Sequence, residues 1–155
     1  MERHTHWIFD GYNVMHALKK IPKELSFELA REQFIAWLSP FAADGKQVTV
    51  VFDAHLPSGA PDGVHRIRVL FSTPSVNADG LILNLVRQAA RSHSSLTVVT
   101  NDLLLRDTLF NYHCCVLSAE SFLNEWRQAS SASHPSASPK TKRFYRPFND
   151  LLTNE

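Results

Sequence analysis

The sequence predicts an α/β domain on a mainly parallel sheet of about five strands, and three observations carry that expectation. Short apolar runs rich in β-branched residues recur at Trp7-Ile8-Phe9, at Val48 to Phe52 and at Leu96 to Thr100. Runs of this length suit strands buried on both faces. Segments with apolar residues spaced by three and four lie between them, so strands alternate with helices. Each run also hands over to an aspartate: Asp10, Asp53 and, after Asn101, Asp102. In a parallel sheet the C-terminal ends of the strands share one edge, which brings these carboxylates together although they are far apart in the chain.

The elements follow in order. Trp7 to Phe9 forms the first strand, and Gly11 turns the chain after Asp10. Val14 to Glu24 reads as a helical turn and loop whose positive face carries Lys19, Lys20 and Lys23. Ser26 is placed to cap a helix in which Phe27, Ala30, Phe34, Trp37 or Leu38, and Phe41 recur with helical spacing, and Pro40 predicts its stop. The second strand, Val48 to Phe52, leads into Asp53-Ala54-His55. Pro57, Gly59, Pro61 and Gly63 make 56–65 an irregular loop, and Arg66 to Phe71 alternates like a third strand. That connection is short for a crossover helix, which leaves the direction of the third strand open. A helix spans about Ala78 to Arg91, with Asp79 in its first turn, where the macrodipole favours a carboxylate. After the strand at 96–100 come a helix near Leu103 to Phe110, a short strand at Cys115-Val116-Leu117 and a helix near Ala119 to Gln128.

The composition then changes. Residues 129–139 are a Ser/Pro-rich linker, and 140–155 a tail in which Lys140, Lys142, Arg143 and Arg146 interleave with Phe144, Tyr145 and Phe148. Cations alternating with rings suit a nucleic-acid strand; a solvated segment, or one docked on its own domain or another subunit, is the competing reading. Residues 1–128 are of ordinary single-domain size.

Over the whole chain of 155 residues, Lys plus Arg is 16 against Asp plus Glu at 15, so net charge does not point to an anionic partner. Any nucleic-acid binding has to come from local patches, of which Lys19, Lys20, Lys23, Arg66 and Arg68 form one phosphate track. The adjacent Cys114 and Cys115 suit buried thiols better than a disulfide, which points to a reducing cytoplasm. No apolar segment approaches signal-peptide or membrane-span length. Nothing in the sequence fixes the oligomeric state.

Asp10, Asp53, Asp79 and Asp102 are thus four candidates for one site, flanked by Asn13 and Asn101. Clustered carboxylates raise one another's pKa unless a cation offsets their charge, and a hard divalent ion with oxygen ligands, Mg²⁺ or Mn²⁺, does so economically. Such an ion supports phosphodiester hydrolysis. Taken singly, an aspartate after a strand serves equally well as a turn former or helix cap. Three repeats of one layout favour the site. His55 reads as a surface group, Asp62 and Asp107 as solvated side chains. No Gly-rich phosphate cradle and no nucleophile elbow is present.

Asp10-Gly11-Tyr12-Asn13-Val14, Val50-Val51-Phe52-Asp53-Ala54-His55, Phe71-Ser72 leading to Ala78-Asp79, and Val98-Val99-Thr100-Asn101-Asp102 resemble the successive motifs of the NYN domain, in its bacterial YacP-like branch, over about residues 6–128. The resemblance implies a PIN-like three-layer α/β/α sandwich and a metal-dependent ribonuclease. By motif match its acidic site falls on Asp10, Asp79 and Asp102, with Asn13 and Asp53 beside it. Similar sequences carry Thr before the Ala-Asp pair and an acidic residue one helical turn after it; here those positions are Asn77 and Leu83, and the family's Ser-Asp is Asn101-Asp102. Two main functions therefore compete. One is an RNA endonuclease with Mg²⁺ or Mn²⁺ on Asp10, Asp79 and Asp102. The other is a non-catalytic RNA-binding or ribosome-associated module with a weakened metal site. A phosphatase or DNA-directed nuclease of related fold is a third.

Overall fold

A computed structural model describes residues 5–20, 24–43, 45–53, 66–112 and 114–131. Strand β1 (His6–Asp10) passes directly into helix α1 (Gly11–Ala17), followed by α2 (Phe27–Ala42), β2 (Gln47–Phe52), β3 (Ile67–Phe71), α3 (Ala78–Arg91), β4 (Leu96–Val99), α4 (Leu103–Leu109), β5 (Cys115–Leu117) and α5 (Ala119–Ser131). The five strands form one sheet in the order β3-β2-β1-β4-β5, with every neighbouring pair parallel. β3, whose direction the sequence left open, runs parallel to β2.

Alternation along β1 assigns the two faces. Trp7 and Phe9 point into a core with α1, α2 and α5, whereas Ile8 points into a second core with α3 and α4. The first core is largely aromatic: Trp7 meets Phe41 edge-to-face at 5.0 Å and Phe9 meets Phe122 at 4.8 Å. The second is aliphatic, built on Val51, Ile82, Val86, Val98 and Leu105. Helices on both faces of a parallel sheet make the three-layer sandwich that the alternating pattern predicts.

Three boundaries differ from expectation. α1 starts at Gly11 with no intervening loop. α2 continues through Pro40 to Ala42, because the carbonyl that Pro40 leaves without a helix partner belongs to Ala36, on the exposed side, while Phe41 and Ala42 beyond it are buried. α5 reaches Ser131 and so takes in the first three residues of the segment read as linker. Residues 132–155, Lys23, His55 and Asp62 lie outside the described residues.

Gly11 is required where it stands. A Cβ there would run into the Phe52 ring and lie 2.8 Å from the Val51 carbonyl oxygen. The β1–α1 turn therefore packs directly against the end of β2, just before Asp53.

Candidate metal centre

Parallel register brings the strand ends to one edge. Asp10 pairs with Val51, two residues before Asp53, and β4 on the other side of β1 leads through Thr100 and Asn101 to Asp102. α3 begins over the same edge, with Asn77 capping it by accepting from the Gly80 N–H at 2.9 Å. One ligand atom from each of Asp10, Asp79 and Asp102 lies within 4.8 Å of the others. These three share an open cleft of about 310 Å³ with Tyr12, Asn13, Val51, Asp53, Asn77 and Ala78.

The four aspartates have different local duties. Asp10 makes no capping bond to α1; its Oδ2 accepts instead from the buried Thr100 hydroxyl at 2.9 Å. Asp102 caps α4, with Oδ1 accepting from the Leu104 and Leu105 N–H groups at 2.9 and 3.3 Å. Asp53 Oδ1 accepts from the Ala78 N–H at 3.0 Å and so ties the end of β2 to the start of α3. Asp79, in the first turn of α3, is half-buried and faces the cleft.

The asparagines hold the frame. Asn13 Oδ1 accepts from the Asn101 N–H at 2.6 Å. Asn101 Oδ1 accepts from the Ala119 N–H at 2.7 Å, and its amide donates to both Glu120 oxygens at 3.2 and 3.1 Å, which fastens the start of α5 to the site. Thr100 is the hub that sequence reasoning missed. Its hydroxyl donates to Asp10 and accepts from the Asp102 N–H at 3.0 Å, linking two of the three clustered carboxylates. The polar run Thr100-Asn101-Asp102 after an apolar strand was the signal available for it. Tyr12, which walls the cleft, was also missed.

The electrostatics are those of like charges in a confined space. Burial pushes the Asp10 carboxyl up to about 6, and the nearby Asp79, Asp102 and Asp53 add to the rise while the Thr100 hydrogen bond opposes it. Asp79 is raised by burial and by Asp102 and Asp53. Oxygen-only donors that repel one another fit a hard divalent cation.

Four residues of the predicted phosphate track are among the described residues, and they stand away from this cleft. Lys19 holds the left-handed position after α1, and the Lys20 ammonium sits 4.6 Å from the Trp37 ring. Arg66 precedes β3 and Arg68 pairs with Thr49, so both lie toward the opposite edge of the sheet. None of the four lines the cleft. Leu83, one turn beyond Asp79, packs against the aliphatic core. Cys114 is buried and Cys115 half-buried, and neither is in a disulfide. No helix of the described residues is long and apolar enough to cross a membrane.

A parallel α/β/α sandwich that gathers an acidic cluster at the C-terminal edge of its sheet defines the class: a PIN-like nuclease fold. The model of the YacP-like NYN domain matches residues 7–155, and the chain belongs to that family. The match takes in residues 129–155, which the motifs alone left out. The chain is 31% identical over 123 residues to the uncharacterized protein YacP of Bacillus subtilis (strain 168), covering 76% of this chain and 72% of that protein. Its fold is similar to the crystal structure of Rae1 (YacP) from Bacillus subtilis, with a TM-score of 0.68, 30% identity and coverage of 85% of this chain and 77% of the other. The W164L mutant of that protein gives the same TM-score at 28% identity, covering 83% and 78%.

Proposed function

We propose that this protein is a cytoplasmic ribonuclease that hydrolyses RNA phosphodiesters with Mg²⁺ or Mn²⁺ held by Asp10, Asp79 and Asp102. The carrying observation is the approach of those three carboxylates to within 4.8 Å of one another. When bound, the ion supplies Lewis-acid stabilisation of the charge that develops on the phosphate during hydrolysis. The chain's own groups prepare for it. Asp102 and Asp10 each commit one oxygen to a backbone or hydroxyl donor, and both residues line the cleft. Asp53 and Asn77 fix the first turn of α3 and thereby the position of Asp79. Asn13 and Asn101 lock the β4–α4 turn that carries Asp102. Cysteines outside any disulfide suit a reducing compartment.

The test is cleavage of a labelled single-stranded RNA in Mg²⁺ and Mn²⁺, with EDTA, Asp10→Asn and Asp79→Asn arms. The reading expects cleavage that all three abolish; activity surviving both the chelator and the variants overturns it. One observation favours a second reading. Leu83 gives the aliphatic core a side chain where similar sequences place a further carboxylate, which suits an RNA-binding or ribosome-associated module of weak metal affinity. RNA retained without cleavage across divalent ions would select it.

A further inference from the structure

We propose that Phe27 is a stacking platform for an unpaired nucleobase of the strand whose phosphate enters the carboxylate cleft; this rests on the RNA reading above. Phe27 is the first residue of α2, where the Ser26 cap fixes the backbone, and its side chain is 60% exposed. An exposed phenylalanine is by itself ordinary. This one is held edge-on to Tyr12, with ring centroids 5.8 Å apart at 75°, and Tyr12 is a wall of the cleft.

Tyr12 is itself positioned. Arg31, one helical turn along α2 from Phe27, donates to the Tyr12 hydroxyl at 3.1 Å. The same guanidinium lies 5.0 Å from the Phe71 ring and 5.8 Å from the Phe52 ring. The Tyr12 ring also packs on Phe52 at 5.1 Å. A ledge of rings with one cation therefore leads from the acidic cleft to the open face of Phe27. Rings beside a cation match the bases and phosphates of a single strand.

Electrostatics makes such a ledge useful. Among the described residues the cleft is lined by four aspartates and no cation, and Lys19, Lys20, Arg66 and Arg68 lie elsewhere. Stacking holds a strand without relying on charge, so it supplies affinity where the cleft repels phosphate. The ledge is continuous with the cleft through Tyr12, which favours a base of the same strand over an apolar side chain of a protein partner.

The test is fluorescence anisotropy of the full-length chain with a labelled ten-nucleotide single-stranded RNA in Ca²⁺, over times in which the strand stays uncut. A series with one abasic nucleotide moved along the strand accompanies it. Phe27→Ala is expected to weaken binding about five- to tenfold, Phe27→Trp to bind at least as well as wild type, and Phe110→Ala, at an exposed ring beyond α4, to change nothing. One abasic position is expected to weaken wild type by a similar factor and to have no further effect on Phe27→Ala. Wild-type affinity in Phe27→Ala, or losses that simply add at every abasic position, overturns the stacking role while leaving the nuclease reading intact. A wild-type chain that neither binds nor cuts RNA overturns both.

Discussion

Along the C-terminal edge of the sheet, Asp10, Asp53, Asp79 and Asp102 crowd one cleft, where burial first and the neighbouring aspartates second raise the Asp10 and Asp79 carboxyls above their ordinary range. Along the opposite edge, His6 is hydrogen bonded to Thr49 at 2.8 Å, and the Lys46 ammonium stands 4.1 Å from the Phe41 ring. His6 is lowered by burial and then by Arg68, so it stays neutral and compatible with its surroundings. The same five strands thus begin at an edge where His6 has a hydrogen-bond partner and end at one that stores repulsion. Hydrogen bonds of Thr100, Asn13, Asn101 and Asn77 hold the turns that carry Asp10, Asp102 and Asp79 in place despite that repulsion. The difference teaches where binding free energy is available: a cation placed among the aspartates relieves a charge that the fold itself does not.

The contrast can be broken most sharply by removing one carboxylate. Asp79→Asn is expected to lower metal-dependent cleavage by about a thousandfold or more, measured as the initial rate on labelled RNA, while leaving the fold intact by circular dichroism. Gly11→Ala acts on the frame. The added methyl must displace Phe52 or the Val51 carbonyl, so a loss of about 2–3 kcal/mol of stability is expected in urea denaturation, together with weakened metal binding.

Titration sharpens the comparison. The Asp10 carboxyl has a folded pKa of about 6, raised from 3.8, so the native state holds its proton more tightly than the unfolded chain. That contribution is fully present below the unfolded value and is lost as pH rises through about 6. The metal-free protein is therefore expected to lose roughly 2 kcal/mol between pH 4 and pH 7 from this group. Asp10→Asn should flatten that fall and melt above wild type at pH 7.5 without metal. Equal melting of the two across the range would show that the carboxyl is not strained. At the N-terminal edge, Thr49→Val removes the Thr49 hydroxyl that His6 bonds and is expected to cost about 1 kcal/mol, with cleavage unchanged.

Much of this arrangement was legible in the chain. Apolar runs ending in Asp10, Asp53 and Asp102 encode strand ends directly, and a parallel sheet then has only one edge to put them on. The separate duties of these residues were not legible. Asp53 and Asp10 follow the same pattern, yet Asp53 bonds the start of α3 while Asp10 bonds a hydroxyl ninety residues away. The polar run that Thr100 opens marks it, but the partner of its hydroxyl is set only when β4 lies beside β1. Pro40 reads as a stop because the exposure of the Ala36 carbonyl depends on which side of α2 faces the sheet. Arg66 and Arg68 were grouped with the lysines since the direction of β3, which places them toward the far edge, is a tertiary property.

The most direct test of the account is a calorimetric Mn²⁺ titration of wild type, Asp10→Asn, Asp79→Asn, Asp102→Asn and Thr49→Val at pH 7.5. Asparagine keeps the hydrogen-bond acceptor that caps α4, so the Asp102 variant tests the charge rather than the cap. A shared site predicts binding by wild type and Thr49→Val, and a loss of about tenfold or more in each aspartate variant. Wild-type affinity in any one of the three would contradict a single centre built by Asp10, Asp79 and Asp102 together.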